Sequence, residues 1–368
     1  MSVKLAVIGT VGLPAQYGGW ETLSEQLITY LDQVYDISVY CSSTSYASRP
    51  AKYRNANLVY VPLKANGVQS IPYDIISMLH AYRKNDVLVI LGVSGCIALP
   101  FLKMLTKKRI VVNIDGYEWK RAKWSFLAKK FLKFSEAVAV KYSDAIVTDN
   151  KVLQDYVRNE YGRESTLIAY GGDQAKTSVL AESDLQRYPF LCKPYAFSVC
   201  RIEPENNIHI IIEAFSTSGL PLVIVGNWKH SEYGKALQDK YSGMTHLHLL
   251  DPIYNGDELS PLRSNATVYI HGHSAGGTNP SLVEAMWLSL PVIAFDVSFN
   301  RASTEDCAKF FSSSQALIES AASLFANEAE RAQLSEKMHE IATRRYRWEG
   351  VSSQYDKLFK SLLSADKA

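Results

Sequence analysis

No stretch of this sequence stays apolar for the roughly 18 residues that a membrane-spanning helix needs. The nearest candidate, Val87 to Leu102, is 16 residues long and broken by Gly92, Gly95 and Pro100, so strand, turn and helix account for it. Cysteine is scarce: the five at 41, 96, 192, 200 and 307 form no CxxC pair, and three lie within or beside apolar runs. Reduced, buried thiols in a cytoplasmic protein are the expected state. Metal-ligand patterning is thin as well. His246/His248 and His271/His273 alternate and so share strand faces, but no third ligand is marked out, and polar caps at strand ends are the expected role. Neither a metal nor another cofactor is expected. The G-x-G-x-x-G fingerprint of nicotinamide-dependent folds is missing, because Gly9 and Gly12 are spaced too widely and Gly18 and Gly19 fall late. Internal repeats and low-complexity tracts are absent. The opening MSVKLAVIGTVG reads as a first strand and not as a signal peptide.

Charge of one sign is also lacking, since the net is only +2. It is unevenly spread, however: residues 1 to 180 hold 22 Lys+Arg against 15 Asp+Glu, and the remainder 17 against 22. The first half is therefore drawn more strongly to acidic surfaces. No nucleic-acid partner is expected.

What is present is alternation of strand and helix. At 368 residues and 47% hydrophobic content, two domains of about 180 residues are the default. Lys4 to Gly9 is a strand, followed by the glycine-rich TVGLPAQYGG and a helix with Leu23, Leu27, Ile28 and Leu31 on one side. Glu21 is expected to cap that helix and nothing more. Strand-like runs at 37–41, 58–61, 87–91, 110–114, 144–148 and 166–169 alternate with helical stretches at about 72–84 and 94–107. A polar, helix-poor stretch after YGGD, 170–173, predicts a linker to about 190. The second half repeats the plan, with strands at 195–201, 222–226, 246–250, 268–271 and 291–295, two charged helices over 314–345, and an amphipathic helix from Trp348. This predicts parallel sheets covered on both faces, with ligands beyond the C-terminal strand ends.

The most informative stretch is His271 to Val297, HGHSAGGTNPSLVEAMWLSLPVIAFDV. Gly276, Gly277 and Thr278 permit a tight turn, Asn279 is a natural helix cap, and Pro280 suits the first helical position. Free N–H groups at such a helix start form an anion site, here with Ser281 among them. Glu284, one turn on, stands where it would accept hydrogen bonds from sugar hydroxyls. Phosphate plus sugar points to a nucleotide sugar. The plainer alternative is a capped helix with Ser281 and Glu284 as an ordinary capping pair.

GGTNPSLVEAMWLSLPVIAFDV resembles the signature of family 4 retaining glycosyltransferases, in which two glutamates eight positions apart flank the donor site. Glu284 matches the second, whose family role is to bind the ribose; the first falls on Gly276 and is missing. Arg201, in CRIEPENN, matches the family's diphosphate-binding arginine, while the lysine five residues on is replaced by Asn206. Pairing of Arg201 with Glu203 or Glu205 is the alternative. GHSAGGTNPSL, YGGWETL near the N-terminus and NIDGYEWKR at 113–121 resemble a narrower branch, bacterial polysaccharide L-rhamnosyltransferases of the β-1,4 type. The resemblance implies an α/β GT-B fold: two Rossmann-like doubly wound parallel-sheet domains facing a central cleft. Residues 1–180 would form the acceptor side, 190–345 the donor domain, and 346–368 a helix crossing back. Gly18 and Gly19 would approach the donor diphosphate. The implied reaction moves L-rhamnose from dTDP-L-rhamnose to a sugar on a polyprenyl-diphosphate carrier. The alternatives are a UDP- or GDP-sugar hexosyltransferase and a non-catalytic sugar-nucleotide or glycan-binding protein. The loops GNWKH and DPIYN are expected around the base.

Asp115 and Glu118 follow the fifth strand-like run and are the candidate catalytic carboxylates, Asp115 to accept a proton or hold the reacting sugar, Glu118 as fallback. A helix cap is their plainer role. Residues 119–142 then carry seven Lys or Arg against one acid, Glu136, interleaved with Trp119, Trp124, Phe126, Phe131 and Phe134. A basic amphipathic helix of this kind suits an anionic membrane surface, placing the protein at the cytoplasmic face, though the aromatics could equally face the core.

Overall fold

The computed structural model describes residues 2–15, 18–114, 116–121 and 124–364. The chain divides into two compact units, one of residues 1–169 with 349–368 and one of 170–348.

In the first unit, β1 (Val3–Ile8), β2 (Tyr35–Ser42), β3 (Lys52–Tyr53), β4 (Ala56–Val61), β5 (Val87–Leu91), β6 (Arg109–Ile114), β7 (Ala145–Thr148) and β8 (Thr166–Leu167) form one sheet. Its order is β3-β4-β2-β1-β5-β6-β7-β8, parallel except for the short β3–β4 pair. The central β5, VLVIL, is buried along its whole length, as a strand covered on both faces must be. Helices Gly19–Leu31, Ser70–Ala81, Leu99–Leu105, Phe126–Tyr142 and Lys151–Tyr161 supply the layers.

The second unit holds β9 (Ala196–Val199), β10 (Leu222–Val225), β11 (Leu247–Leu250), β12 (Val268–His271), β13 (Val292–Phe295) and β14 (Lys309–Phe311), ordered β11-β10-β9-β12-β13-β14 and all parallel. The order reverses between β9 and β12, which creates a crevice at their C-terminal ends. The expected helix-poor linker is corrected by a short helix at Glu182–Arg187 and a 3-10 turn at Pro189–Cys192. Cys192, expected buried, is exposed, whereas Cys41 and Cys96 are buried.

The C-terminal helix, Trp348–Ser364, buries Val351, Tyr355 and Phe359. Within the first unit, Asn113 Nδ2 donates to Tyr355 Oη at 2.7 Å and Tyr35 Oη donates to Asp356 at 2.7 Å. Among the described residues no helix is long and apolar enough to cross a membrane.

Candidate active site

The second unit brings Arg201, the glycine turn and Glu284 to the crevice of its own sheet. Arg201 follows β9 and the turn follows β12, and these strands are neighbours. Their two loops are stitched together. Ser274 donates from both its N–H (2.9 Å) and its hydroxyl (2.8 Å) to Glu205 O, and Asn207 Nδ2 donates to Gly272 O at 2.9 Å. A Cβ on Gly272 would lie 2.1 Å from Asn206 O, so only glycine allows this approach. Asn206, where the resembled family has a lysine, is buried and donates to Arg201 O at 2.7 Å. It shapes the loop instead of adding charge. Arg201 stays 41% exposed, 4.0 Å from Glu203, too loose a pairing to consume the guanidinium.

The helix Pro280–Trp287 starts as expected: Asn279 Oδ1 caps it by accepting from Ser281 N at 3.1 Å, with Pro280 at the first position. One expectation is corrected. Ser281 N is taken by this cap, and the N–H groups of Leu282 and Val283 bond Asn279 O, so none of the three is left for an anion. Gly276 and Gly277 donate to no protein acceptor among the described residues, so the turn and not the helix start holds the backbone N–H groups open to an anion. Thr278 is buried in that turn. Ser281 Oγ accepts from the buried Tyr269 Oη (2.9 Å) and donates to Asn279 Oδ1 (2.8 Å), bracing the cap. The missing first glutamate has a backbone reason. Gly276 has open space around it but a φ of +121°, which side chains rarely adopt.

Glu284 is no capping partner. Gln174 Nε2 donates to its Oε1 at 2.6 Å, and the Arg263 guanidinium pairs with its Oε2. Neither partner was singled out from the sequence; they lie 110 and 21 residues away and carry no motif. His271 is wholly buried, and burial lowers its pKa to about 3, so it is neutral. Its ring stacks on His273 with centroids 4.4 Å apart, an arrangement unlike the convergence of nitrogens a metal needs. No group of three His, Cys, Asp or Glu able to hold a metal occurs among the described residues. Trp228 of GNWKH is buried and donates to Leu250 O at 2.9 Å, which ties that turn to the end of β11. A cavity of about 360 Å³ lined by Pro194, Thr267 and Pro291 lies at the opposite, N-terminal strand ends.

Residues 186–341 match the family described as glycosyl transferases group 1. That match covers most of the second unit. Residues 3–173 match a family described only as a domain of unknown function, DUF1972. None of the curated proteins matches in sequence. Solved structures share the fold. Sucrose-phosphate synthase from Thermosynechococcus elongatus superposes with a TM-score of 0.85 at 15% identity, covering 99% of this chain and 100% of that one. HepE from Anabaena, in complex with UDP-glucose, gives 0.75 at 13% over 98% and 100%. Starch synthase IV from Arabidopsis thaliana, bound to ADP and acarbose, gives 0.74 at 12% over 99% and 100%. The chain therefore has the GT-B fold, two parallel-sheet α/β domains.

In the first unit, Gly18 has a φ of +117° and Gly19 opens the helix that follows. Tyr17 and Asp115 lie outside the described residues. Glu118 begins a 3-10 turn, pairs with Arg121 at 2.7 Å and accepts from Trp124 Nε1 at 2.9 Å. Glu21 does more than cap. It is buried and accepts from Thr10 Oγ1 (2.8 Å) and Val11 N (2.6 Å), tying the loop after β1 to the helix, and burial raises its pKa. A Cβ on Gly18 would lie 2.3 Å from Glu21 Oε2, which gives that glycine a packing reason. The basic stretch is divided: the turn at 118–120 is separate, and the helix runs only from Phe126 to Tyr142.

Proposed function

We propose that this protein is a glycosyltransferase that moves L-rhamnose, with retention, from dTDP-L-rhamnose to a sugar hydroxyl on a polyprenyl-diphosphate carrier, in synthesis of O-antigen, capsule or rhamnan. The observation that carries the donor half is the stitched pair of loops at the sheet reversal, Arg201 on one and Gly276, Gly277, Thr278 and Asn279 on the other, with Glu284 one turn down the helix. A guanidinium and fixed backbone dipoles stabilise a nucleoside diphosphate whose charge grows as it departs, without a metal. Glu284 holds the nucleoside's ribose or deoxyribose, Ser281 braces the cap, and Gly18 and Gly19 keep the backbone role that the resemblance gives them. Asp115, with Glu118 in reserve, is assigned to the acceptor hydroxyl. The choice of rhamnose rests on GHSAGGTNPSL and the two N-terminal motifs.

The membrane half of the reading is supported by Phe126 and Leu127, 68% and 76% exposed, beside the lysines of their helix. Apolar side chains standing in water next to cations suit an anionic leaflet at the cytoplasmic face. A second donor reading, UDP-glucose, is kept because HepE, which shares the fold, was solved with it.

A thermal-shift panel tests the donor. At 100 times its dissociation constant a ligand stabilises by about 2.7 kcal/mol. The expected result is the largest shift with dTDP-L-rhamnose; a shift with UDP-glucose alone would replace the donor, and none with any nucleotide sugar would remove the site. Arg201→Ala and Glu284→Ala are each expected to lower transfer by about 10- to 100-fold with the fold intact.

A further inference from the structure

Glu284 is 17% exposed, and each of its carboxylate oxygens already accepts one bond, from Gln174 and from Arg263. An ionised carboxylate has about four acceptor positions. One bond at each oxygen therefore leaves one more at each: the vicinal hydroxyls of a UDP donor's ribose would take both, and the single 3′-hydroxyl of a dTDP donor's deoxyribose would take one. Arg263 is 7% exposed, and its Nε has no partner among the described residues. A buried guanidinium of this kind is not a surface charge; paired with one carboxylate oxygen, it holds the plane of the carboxylate.

Gln174 is itself held. Trp348 Nε1 donates to its Oε1 at 2.6 Å, which turns the amide N–H₂ toward Glu284. Trp348 is buried, its backbone N–H donates to Asp173 at 2.8 Å, and its indole lies so close to Gly171 that a Cβ there would sit 2.5 Å from Cγ. Behind it, a Cβ on Gly172 would lie 2.5 Å from Val283 O, in the helix that bears Glu284. The segment 170–174 is thus wedged between Trp348 and that helix. Residues 170 and 348 are where the chain enters and leaves the second unit.

Resting on the reading of Glu284 as the ribose ligand, we propose that Gln174 and Arg263 are positioning residues that fix its carboxylate for the ribose, with the Trp348 indole locking Gln174. Preference for ribose hydroxyls is then set partly at the residue where the second unit ends.

The test compares UDP with 2′,3′-dideoxy-UDP, a loss of two hydroxyls, and dTDP with its 3′-deoxy (2′,3′-dideoxy) counterpart, a loss of the 3′-hydroxyl alone, by titration calorimetry on the full chain. Wild type is expected to favour the hydroxyl-bearing member by about tenfold or more, and Glu284→Ala to abolish that preference. Gln174→Met and Arg263→Lys should each reduce the preference to about threefold or less, leaving affinity for the dideoxy member within about twofold. Trp348→Phe should reproduce the Gln174→Met pattern more weakly. An equal loss for both members would show a merely structural role and overturn the proposal. Retention of the full preference in Gln174→Met and Arg263→Lys, with its loss in Glu284→Ala, would overturn it while leaving the ribose reading standing. A preference that survives Glu284→Ala, or a wild type that binds neither nucleotide, would overturn the ribose reading first.

Discussion

Asp74 lies buried on the helix Ser70–Ala81, with Oδ1 unpartnered among the described residues. Burial pushes its pKa up to about 8, opposed by a hydrogen bond from Gly95 N–H. The folded chain therefore keeps a proton there that the unfolded chain releases near its ordinary value of about 4. Stability from this group is complete below that value and is lost as pH rises through about 8. Melting temperature should fall between pH 5 and pH 9, and Asp74→Asn should flatten the fall; an unchanged slope in the variant would refute the assignment. His271 acts in the opposite sense, its contribution present above about 6.5 and lost as pH falls toward about 3. At this scale the sequence showed where polar residues stand but not whom they meet. Glu21 was legible as a helix cap, yet its bonds to Thr10 and Val11 depend on the loop folding back.

The helix Pro280–Trp287 was legible almost residue by residue, because caps and prolines act locally. Asn279→Ala should cost about 0.5–2 kcal/mol by denaturant titration. It should also weaken nucleoside diphosphate binding, since Asn279 Oδ1 anchors both the amide and the hydroxyl of Ser281. The basic stretch was legible in composition and not in extent. Periodicity ran the aromatics of 119–142 together, whereas the chain breaks them into a turn and a helix that leaves Phe126, Leu127 and Phe134 exposed while burying Leu132 and Val138. Phe126→Ser with Leu127→Ser should reduce flotation with vesicles containing anionic lipid, and raising salt should weaken binding of wild type. Flotation unaffected by either change would exclude this helix as the contact.

At the scale of the molecule, the last helix belongs to the first unit although the second unit precedes it in sequence. Tyr355→Phe would strand Asn113 Nδ2 in the core at a cost of about 1–3 kcal/mol, measurable by thermal unfolding. Ending the chain at Trp348 should uncover the pocket that Val351, Tyr355 and Phe359 fill and make the first unit aggregate, as seen by size-exclusion chromatography. Alternating hydrophobic strands and periodic helices, the glycine-to-proline helix start and the paired β/α halves were determined by the sequence alone, because each is a short-range pattern of side-chain size and backbone freedom. Strand order, the stitching of the Arg201 loop to the glycine turn, and the grip of Gln174 and Arg263 on Glu284 were decided only in three dimensions. Those pairings join residues far apart in the chain, and the partner of a buried charge is chosen by what packing brings within reach, which leaves no periodic trace.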